Sequence, residues 1–201
     1  MTPVALTFDD GPSEWTQAIL DVLAAHDASA TFFVIGSAAE ERADVVRRIA
    51  AAGNEIGNHT WSHPHLARDC DDGQVHGELQ RTSDLLDSIL GQAPTRFRAP
   101  YHDVDARVER IAASIGLEHT TSTVAAPDWH PAASSAFIAT MVLQRVGPGA
   151  VIGLHDGFPP DEEATTTREA TVAAVANLVP TLRDRGFECV TASALLGRPS
   201  R

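Results

Sequence analysis

The sequence predicts an α/β fold: a distorted, shortened (β/α) barrel with about seven parallel strands. Short apolar segments typical of buried strands alternate along the chain with longer segments whose apolar residues recur at helical spacing. This alternation indicates a parallel sheet with right-handed crossovers. The chain has 201 residues, fewer than the roughly 250 residues of a complete eight-unit barrel. No repeat or linker interrupts residues 1–201, so we expect a single domain.

The strands and helices are assigned in chain order from these segments. The strands are predicted at residues 4–8, 30–35, 55–57, 96–98, 118–121, 150–154 and 187–190. The first helix follows Ser13, which stands where an N-cap would, and carries Ile19, Val22 and Leu23 at helical spacing. Further helices are predicted near residues 38–51, 73–90, 104–115, 134–146 and 163–184, with a short helix at the C-terminus. No glycine-rich phosphate-binding motif follows a strand, so a nucleotide fold has no support.

The charge balance narrows the class of partner. All 15 basic residues are arginine, and 27 acidic residues bring the net charge to −12. Nucleic acids and anionic membranes bind basic surfaces, so we expect neither as a partner, while a small-molecule or oligosaccharide substrate remains compatible. No segment is apolar enough to span a membrane, and the N-terminus has no leader features. We therefore expect a cytoplasmic protein if Met1 is the native start, and a secreted one if a leader has been removed.

Polar residues gather directly after the predicted strands. The carboxyl ends of parallel strands meet on one face, so side chains far apart in sequence can share one cleft there. The residues in question are Asp9, Asp10, His59, His63, Arg98, Tyr101, Asp128, Trp129, His155 and Asp156. This convergence predicts a site at the strand ends.

Two histidines and an aspartate form a candidate metal site. His59 and His63 are four residues apart, and Pro64 favours a tight loop over a helix between them. Two imidazoles and one carboxylate, with an open position for water, are typical of catalytic zinc. Two surface histidines are the alternative, and we treat His65 as a surface residue. The adjacent Asp9 and Asp10 suit a cation-binding pair or an ordinary turn before Gly11 and Pro12.

Further residues suit acid–base chemistry or substrate binding. Arg98 could hold a carboxylate or lie on the surface. His155 could act as a general acid or base, as a third metal ligand, or as a satisfied core histidine. Trp129 could line a sugar site or pack in the ordinary way.

Taken together, these stretches resemble the polysaccharide deacetylase family, also known as the NodB-homology family or carbohydrate esterase family 4. Residues 7–13 match its first motif residue for residue, residues 59–63 match the second motif, H-[ST]-x-x-H, and residues 98–101 match the third, R-x-P-[YF]. Asp128-Trp129 is similar to the end of the fourth motif, and residues 154–156 to the fifth. The resemblance follows the family's motif order over nearly the whole chain.

The resemblance implies a catalytic domain that hydrolyses an N-acetyl group on an amino sugar, using a divalent metal. It implies these roles: Asp10, His59 and His63 as metal ligands, Asp9 as the base, Arg98 orienting Asp9, the Tyr101 N–H holding the oxyanion, and His155 as the acid. Asp128, in the fourth motif, is a further catalytic candidate. It implies that Trp129 and Leu154 shape the acetyl pocket. We also expect Pro100 and His102 to contact the substrate. We expect Zn²⁺, with Co²⁺, Ni²⁺ or Mn²⁺ able to occupy the same ligands.

Two positions depart from the family pattern. His102 stands where the family usually has glycine, and Ala125 stands where the fourth motif usually has a further aspartate. These departures weakly favour a small acetylated amino sugar over a chitin-type or peptidoglycan-type glycan. The alternatives are a hydrolase of another acyl group or of a non-sugar amide, and a catalytically silent, metal-binding carbohydrate-binding module. The sequence predicts no particular oligomeric state.

Overall fold

The computed structural model describes residues 1–160 and 167–197, which form one curled, parallel sheet covered by helices. Its strand order is β5-β4-β3-β2-β1-β7-β6, and β8 pairs with β1 beside this path. The strands are Thr2–Gly11 (β1), Thr31–Val34 (β2), Glu55–Asn58 (β3), Arg96–Phe97 (β4), Glu118–His119 (β5), Val124–Ala125 (β6), Val151–His155 (β7) and Phe187–Val190 (β8). Strands β5 and β6 end the path, and no pairing joins them within the described residues. The predicted distorted, shortened barrel is confirmed.

The helices connect successive strands and cover the outside of the sheet. They are Thr16–Ala25 (α1), Gly36–Glu41 (α2), Ala43–Ala51 (α3), Leu66–Asp69 (α4), Asp72–Leu90 (α5), Ala106–Ser114 (α6), Ser135–Leu143 (α7), Glu169–Asp184 (α8) and Ala192–Leu196 (α9). A 3₁₀ turn spans Pro100–His102. No helix in the described ranges has the length and apolarity needed to cross a bilayer.

Strand β1 organises the molecule because it pairs with β2, β7 and β8. Alternate side chains of a strand point to opposite faces. Leu6 and Phe8 are fully buried in the main apolar core beneath the helices. Thr7 and Asp9 point the other way and contact the guanidinium of Arg98 inside the barrel. The outer face of β1 therefore builds the core, and its inner face leads to the polar site.

The barrel interior contains buried arginines as well as apolar side chains. Arg96 and Arg98 are essentially inaccessible to solvent. Arg96 donates to the Oγ atoms of Ser193 and Thr120, so its guanidinium links α9 to β5. A buried guanidinium is tolerated only when hydrogen bonds replace its hydration. These contacts explain why charged residues occupy strand positions that would otherwise be apolar.

Four details differ from the sequence prediction. Strand β6 was not predicted, because its two apolar residues form too short a run. The helix predicted near residues 38–51 is two helices, separated at Arg42. Ser13 is not an N-cap: α1 begins after Trp15, and the Ser13 hydroxyl donates to the backbone oxygen of Asp156. Helix α8 begins at Glu169, and residues 163–166 of the helix predicted near 163–184 lie outside the described residues.

Candidate active site

The candidate site lies where β1, β3, β4 and β7 end. Asp9 and Asp10 close β1, His59 follows β3, Arg98 follows β4, and His155 is the last residue of β7. All these strands are parallel, so their carboxyl ends lie at one edge of the sheet. The structure thus brings together residues from four separate parts of the chain.

Asp10, His59 and His63 form a buried cluster that could hold a metal ion. Asp10 Oδ1 lies 3.2 Å from His59 Nε2 and 3.1 Å from His63 Nε2. The three ligand atoms all lie within 4.8 Å of one another. Asp10 Oδ1 is buried and has no hydrogen-bond partner among the described residues. An orphaned, buried carboxylate oxygen facing two imidazole nitrogens is the arrangement a divalent cation would satisfy.

The hydrogen bonds of His59 fit this arrangement. His59 Nδ1 lies 2.8 Å from the backbone oxygen of Arg98. A carbonyl oxygen only accepts, so Nδ1 carries the hydrogen, and in the neutral ring Nε2 keeps its lone pair for a metal ion. Burial acts to raise the pKa of Asp10, but His59 and His63 in their protonated forms outweigh it and hold that pKa well below its usual range.

The backbone is bent so that neighbouring side chains reach the same site. Asp10 has a φ of 72°, and the pairing of β1 with β2 is irregular between Asp9 and Gly11. In a regular strand, Asp9 and Asp10 would point to opposite faces; the irregularity lets both face the site. The loop from His59 to His63 is also non-helical, with φ of 66° at Thr60 and 63° at His63, as the position of Pro64 predicted.

Asp9 is held by Arg98, the residue that the family resemblance assigned to orient it. Arg98 donates from one nitrogen to Asp9 Oδ1 and to Thr7 Oγ1, both at 2.7 Å. Its Nε donates to the backbone oxygen of Thr120 at 2.9 Å, which fixes the guanidinium in place. Asp9 is only 7% exposed. The pair orients one carboxylate beside the Asp-His-His cluster.

Asp128 and His155 form a second charged pair. His155 Nδ1 lies 2.7 Å from Asp128 Oδ1, and the His155 backbone N–H donates to Asp128 Oδ2 at 2.9 Å. Burial acts to lower the pKa of His155, but Asp128, and more weakly Asp10 and Asp9, raise it to about 9. At neutral pH, His155 is therefore a protonated acid beside the site.

Exposed rings border the cleft. Tyr101 is 48% exposed and Trp129 is 54% exposed. The imidazole of His102 is exposed as well, with Nε2 3.3 Å from Ser122 Oγ. Pro100 is buried at the first position of the 3₁₀ turn, and it sets the turn more than it offers surface. These positions agree with substrate contacts by Tyr101, Trp129 and His102, which stay predictions.

Two sequence predictions need correction. Leu154 does not line the site: it is fully buried in the main core, because it lies on the face of β7 opposite His155. Gly153 faces the site instead, and a Cβ there would lie 2.8 Å from Ser122 Cβ and 3.8 Å from Arg98 Nη1. His65 is not a simple surface residue, because it is half-buried and its ring stacks on that of Tyr101 with centroids 3.9 Å apart.

Several supporting residues were not found from the sequence. The Thr171 hydroxyl donates to Asp128 Oδ2 at 2.9 Å, and Arg168 donates to the Asp128 backbone oxygen at 3.4 Å. Glu78 accepts from the loop between His59 and His63. They lie on or beside helices, far in sequence from the strand-end motifs, and no local pattern separates them from ordinary surface residues.

Comparisons with known proteins agree with this geometry. Residues 2–120 match the family model described as polysaccharide deacetylase. A chitooligosaccharide deacetylase of Bradyrhizobium sp. (strain ANU 289) is 42% identical over 192 residues, covering 92% of this chain and 86% of the relative. A peptidoglycan-N-acetylglucosamine deacetylase of Bacillus cereus is 36% identical over 189 residues, covering 94% of this chain and 66% of the relative.

Solved structures show the same fold. A family 4 carbohydrate esterase from Streptomyces lividans, in complex with acetate, superposes with a TM-score of 0.86 at 32% identity, covering 99% of this chain and 97% of that one. A family 4 acetyl xylan esterase from Clostridium thermocellum, in complex with a cobalt ion, superposes with a TM-score of 0.85 at 32% identity, covering 98% of this chain and 93% of that one.

Proposed function

The chain belongs to the polysaccharide deacetylase family, and we propose that it is a metal-dependent hydrolase that removes the N-acetyl group from an N-acetylated amino sugar. The products are acetate and a free amine. The observation that carries the proposal is one strand-end face holding three groups: the Asp10-His59-His63 cluster, the Asp9-Arg98 pair and the Asp128-His155 pair.

The donor set of the cluster suits zinc best. Two imidazole nitrogens and one carboxylate oxygen are a common catalytic zinc set, and Co²⁺, Ni²⁺ or Mn²⁺ bind similar ligands. An ion held by Asp10, His59 and His63 would polarise the amide carbonyl and acidify water. The cobalt ion bound by the Clostridium thermocellum esterase supports a divalent metal in this fold.

The remaining residues supply the proton transfers. Asp9, kept in place by Arg98, takes a proton from the attacking water. The backbone N–H of Tyr101 is assigned to stabilise the negative oxygen that develops on the carbonyl; such donors contribute roughly 3–4 kcal/mol. His155 gives its proton to the departing nitrogen, because an amine leaves readily only when protonated. The raised pKa of His155, about 9, keeps that proton available at neutral pH.

The substrate we propose is a neutral or cationic acetylated glycan, of the chitooligosaccharide type. The relatives with chitooligosaccharide and peptidoglycan N-acetylglucosamine activities support an N-acetylglucosamine unit. Exposed Trp129 and Tyr101 offer ring faces to a sugar. The net charge of −12 disfavours a strongly anionic polymer.

Hydrolysis of an acetyl ester is a second candidate function. It is favoured by the similarity to the acetyl xylan esterase, whose fold is shared over nearly the whole chain. The same base, acid and metal cluster would serve, and an ester needs less help from His155 because an alkoxide leaves more readily than an amine anion.

Acetate release distinguishes these possibilities. Metal-free protein is incubated with N-acetylglucosamine oligomers or acetylated xylooligosaccharides, alone and after adding back Zn²⁺, Co²⁺, Ni²⁺ or Mn²⁺. We expect release from the amide substrate only with metal, and a loss of ~10²–10⁴-fold in Asp9→Asn. Asp87→Asn, an exposed acid on α5, serves as the control. Release that is unaffected by chelation or by Asp9→Asn would contradict the proposal.

A further inference from the structure

The two histidine ligands of the cluster are anchored in different ways. His59 Nδ1 donates to the backbone oxygen of Arg98, so its ring is fixed by a side-chain hydrogen bond. His63 Nδ1 is buried and has no hydrogen-bond partner among the described residues. The orientation of the His63 ring therefore depends on the backbone that carries it and on T-shaped contacts with the rings of Tyr101 and His59, whose centroids are 4.7 Å and 5.0 Å away.

That backbone is a short, bent loop. Thr60 and His63 both have positive φ, at 66° and 63°. Non-glycine residues in this region carry about 1–3 kcal/mol of strain each and keep it only where the surroundings hold them. Contacts from neighbouring elements must therefore hold the loop in place if Nε2 of His63 is to stay opposite Asp10.

Helix α5 holds the loop through hydrogen bonds to the Glu78 carboxylate. The backbone N–H groups of Trp61 and Ser62 both donate to Glu78 Oε2 at 2.8 Å, and Ser62 Oγ donates to Glu78 Oε1 at 2.8 Å. One carboxylate thus accepts three hydrogen bonds from two residues that lie between the histidines. Hydrogen bonds to a charged acceptor are about twice as strong as neutral ones.

A second contact ties the start of the loop to the same helix. Asn58 Oδ1 accepts from the Thr60 N–H at 2.8 Å, while Asn58 Nδ2 donates to the Leu79 backbone oxygen at 2.7 Å. Asn58 precedes the loop, so it fixes where the loop leaves β3. Arg81 of α5 also stacks on the Trp61 ring, and the first N–H groups of α2 donate to the Thr60 and Trp61 carbonyls, but the Glu78 carboxylate accepts the hydrogen bonds from the middle of the loop, just before His63.

We propose that Glu78 is a positioning residue for the metal site, holding the loop so that His63 Nε2 faces Asp10 and His59. The proposal rests on the metal site of the proposed function. It assigns a role in metal binding to a helix residue outside all the sequence motifs. Loss of such an outer hydrogen-bond partner typically weakens metal binding 10–100-fold.

The test is Co²⁺ binding by the metal-free full chain, measured by calorimetry and by the visible absorption of the bound ion, which reports ligand geometry. We expect Glu78→Ala to bind Co²⁺ about 10–100-fold more weakly, with an altered spectrum. Glu78→Gln should bind Co²⁺ with an affinity between those of the unmodified protein and Glu78→Ala, because its amide oxygen still accepts from Trp61 and Ser62 but without the charge of the carboxylate. Asp87→Asn removes an exposed charge from the same helix and should change nothing.

Each outcome decides the matter. Unchanged affinity and spectrum in Glu78→Ala would overturn the positioning role while leaving the proposed function intact. Glu78→Gln as weak as Glu78→Ala would also overturn it, because charge rather than hydrogen bonding would then be responsible. If Glu78→Ala does not fold, Glu78→Asp takes its place: its shorter side chain withdraws the acceptor, and unchanged binding would overturn the proposal. An unmodified chain that fails to bind Co²⁺ would overturn the metal site and the positioning role together.

Discussion

Two histidines of the site, His59 and His155, have different partners. The Nδ1 of His59 faces a backbone carbonyl, whereas the Nδ1 of His155 faces the carboxylate of Asp128 at 2.7 Å. A carbonyl fixes the tautomer and leaves Nε2 free to bind a metal, while a carboxylate stabilises the doubly protonated ring and raises the pKa of His155 to about 9. In the proposed mechanism, the partner of Nδ1 is the reason why His59 serves as a metal ligand and His155 as the acid.

The largest expected effect tests whether Asp10 is a metal ligand. Asp10→Ala removes the oxygen that faces both His59 and His63. Loss of a residue that only hydrogen-bonds a metal ligand weakens metal binding by up to ~100-fold. Asp10 is a candidate ligand itself, so we expect a larger loss of metal affinity, and acetate release should fall with it. Calorimetry with Zn²⁺ or Co²⁺ and a deacetylation assay measure both, with Asp87→Asn as the control. Full metal affinity in Asp10→Ala would remove Asp10 from the ligand set.

The next largest effect tests whether His155 acts as the general acid. His155→Ala should lower turnover of an N-acetyl substrate by ~10²–10⁴-fold and leave metal affinity unchanged, because His155 is assigned to proton transfer. His26→Ala, a histidine remote from the site motifs, is the matched control. A loss of metal binding in His155→Ala would instead identify His155 as a third metal ligand, which the sequence left open.

A smaller, pH-dependent effect tests whether Asp128 raises the pKa of His155. In the proposed mechanism catalysis needs the proton on His155, and its pKa of about 9 means that activity should fall as the pH rises through about 9. Asp128→Asn removes the charge that raises this pKa, so the alkaline fall should move toward the ordinary value near 6.5. At pH 8 that shift would leave roughly 3% of the ring protonated, a ~30-fold loss relative to a fully protonated acid. An unmoved pH profile would show that Asp128 does not set the pKa.

The smallest effect concerns the support of Asp128. Thr171→Val removes the hydroxyl that donates to Asp128 Oδ2 at 2.9 Å but leaves the carboxylate charge. We expect a loss of about 1 kcal/mol, equivalent to ~5-fold in turnover, with the alkaline limb of the pH profile in place. Turnover against pH, together with the Tm, measures this. A shift as large as that of Asp128→Asn would mean that the hydroxyl, more than the charge, controls His155.

Much of the fold and of the site was predictable. All seven predicted strands are present. The apolar side chains of β1, β2 and β7 are buried, whereas β4 and β5 are two residues long and include Arg96, Glu118 and His119. Strand β6 was missed because its residues, Val124 and Ala125, form too short a run. The three metal-ligand candidates come together as expected, because parallel strands deliver their ends to one edge.

Leu154 shows where the prediction failed. The motif containing it placed it next to His155, and the sequence alone did not show which of two neighbours on a strand faces the site. The alternation of β7 puts Leu154 in the core and leaves Gly153 beside Arg98 and Ser122. Glu78 and Thr171 were missed for a related reason: only the packing of α5 and α8 against the strand ends brings them to the loop and to Asp128.

The sequence by itself determined the alternation of strands and helices and placed acids, histidines and an arginine at the strand ends, because apolar period and residue type are local properties. The tertiary structure decided which atom meets which. The partner of each imidazole, the direction of each strand-end side chain and the grip of Glu78 all depend on helix packing and backbone bends. Those contacts join residues distant in the chain, and local patterns carry no information about them.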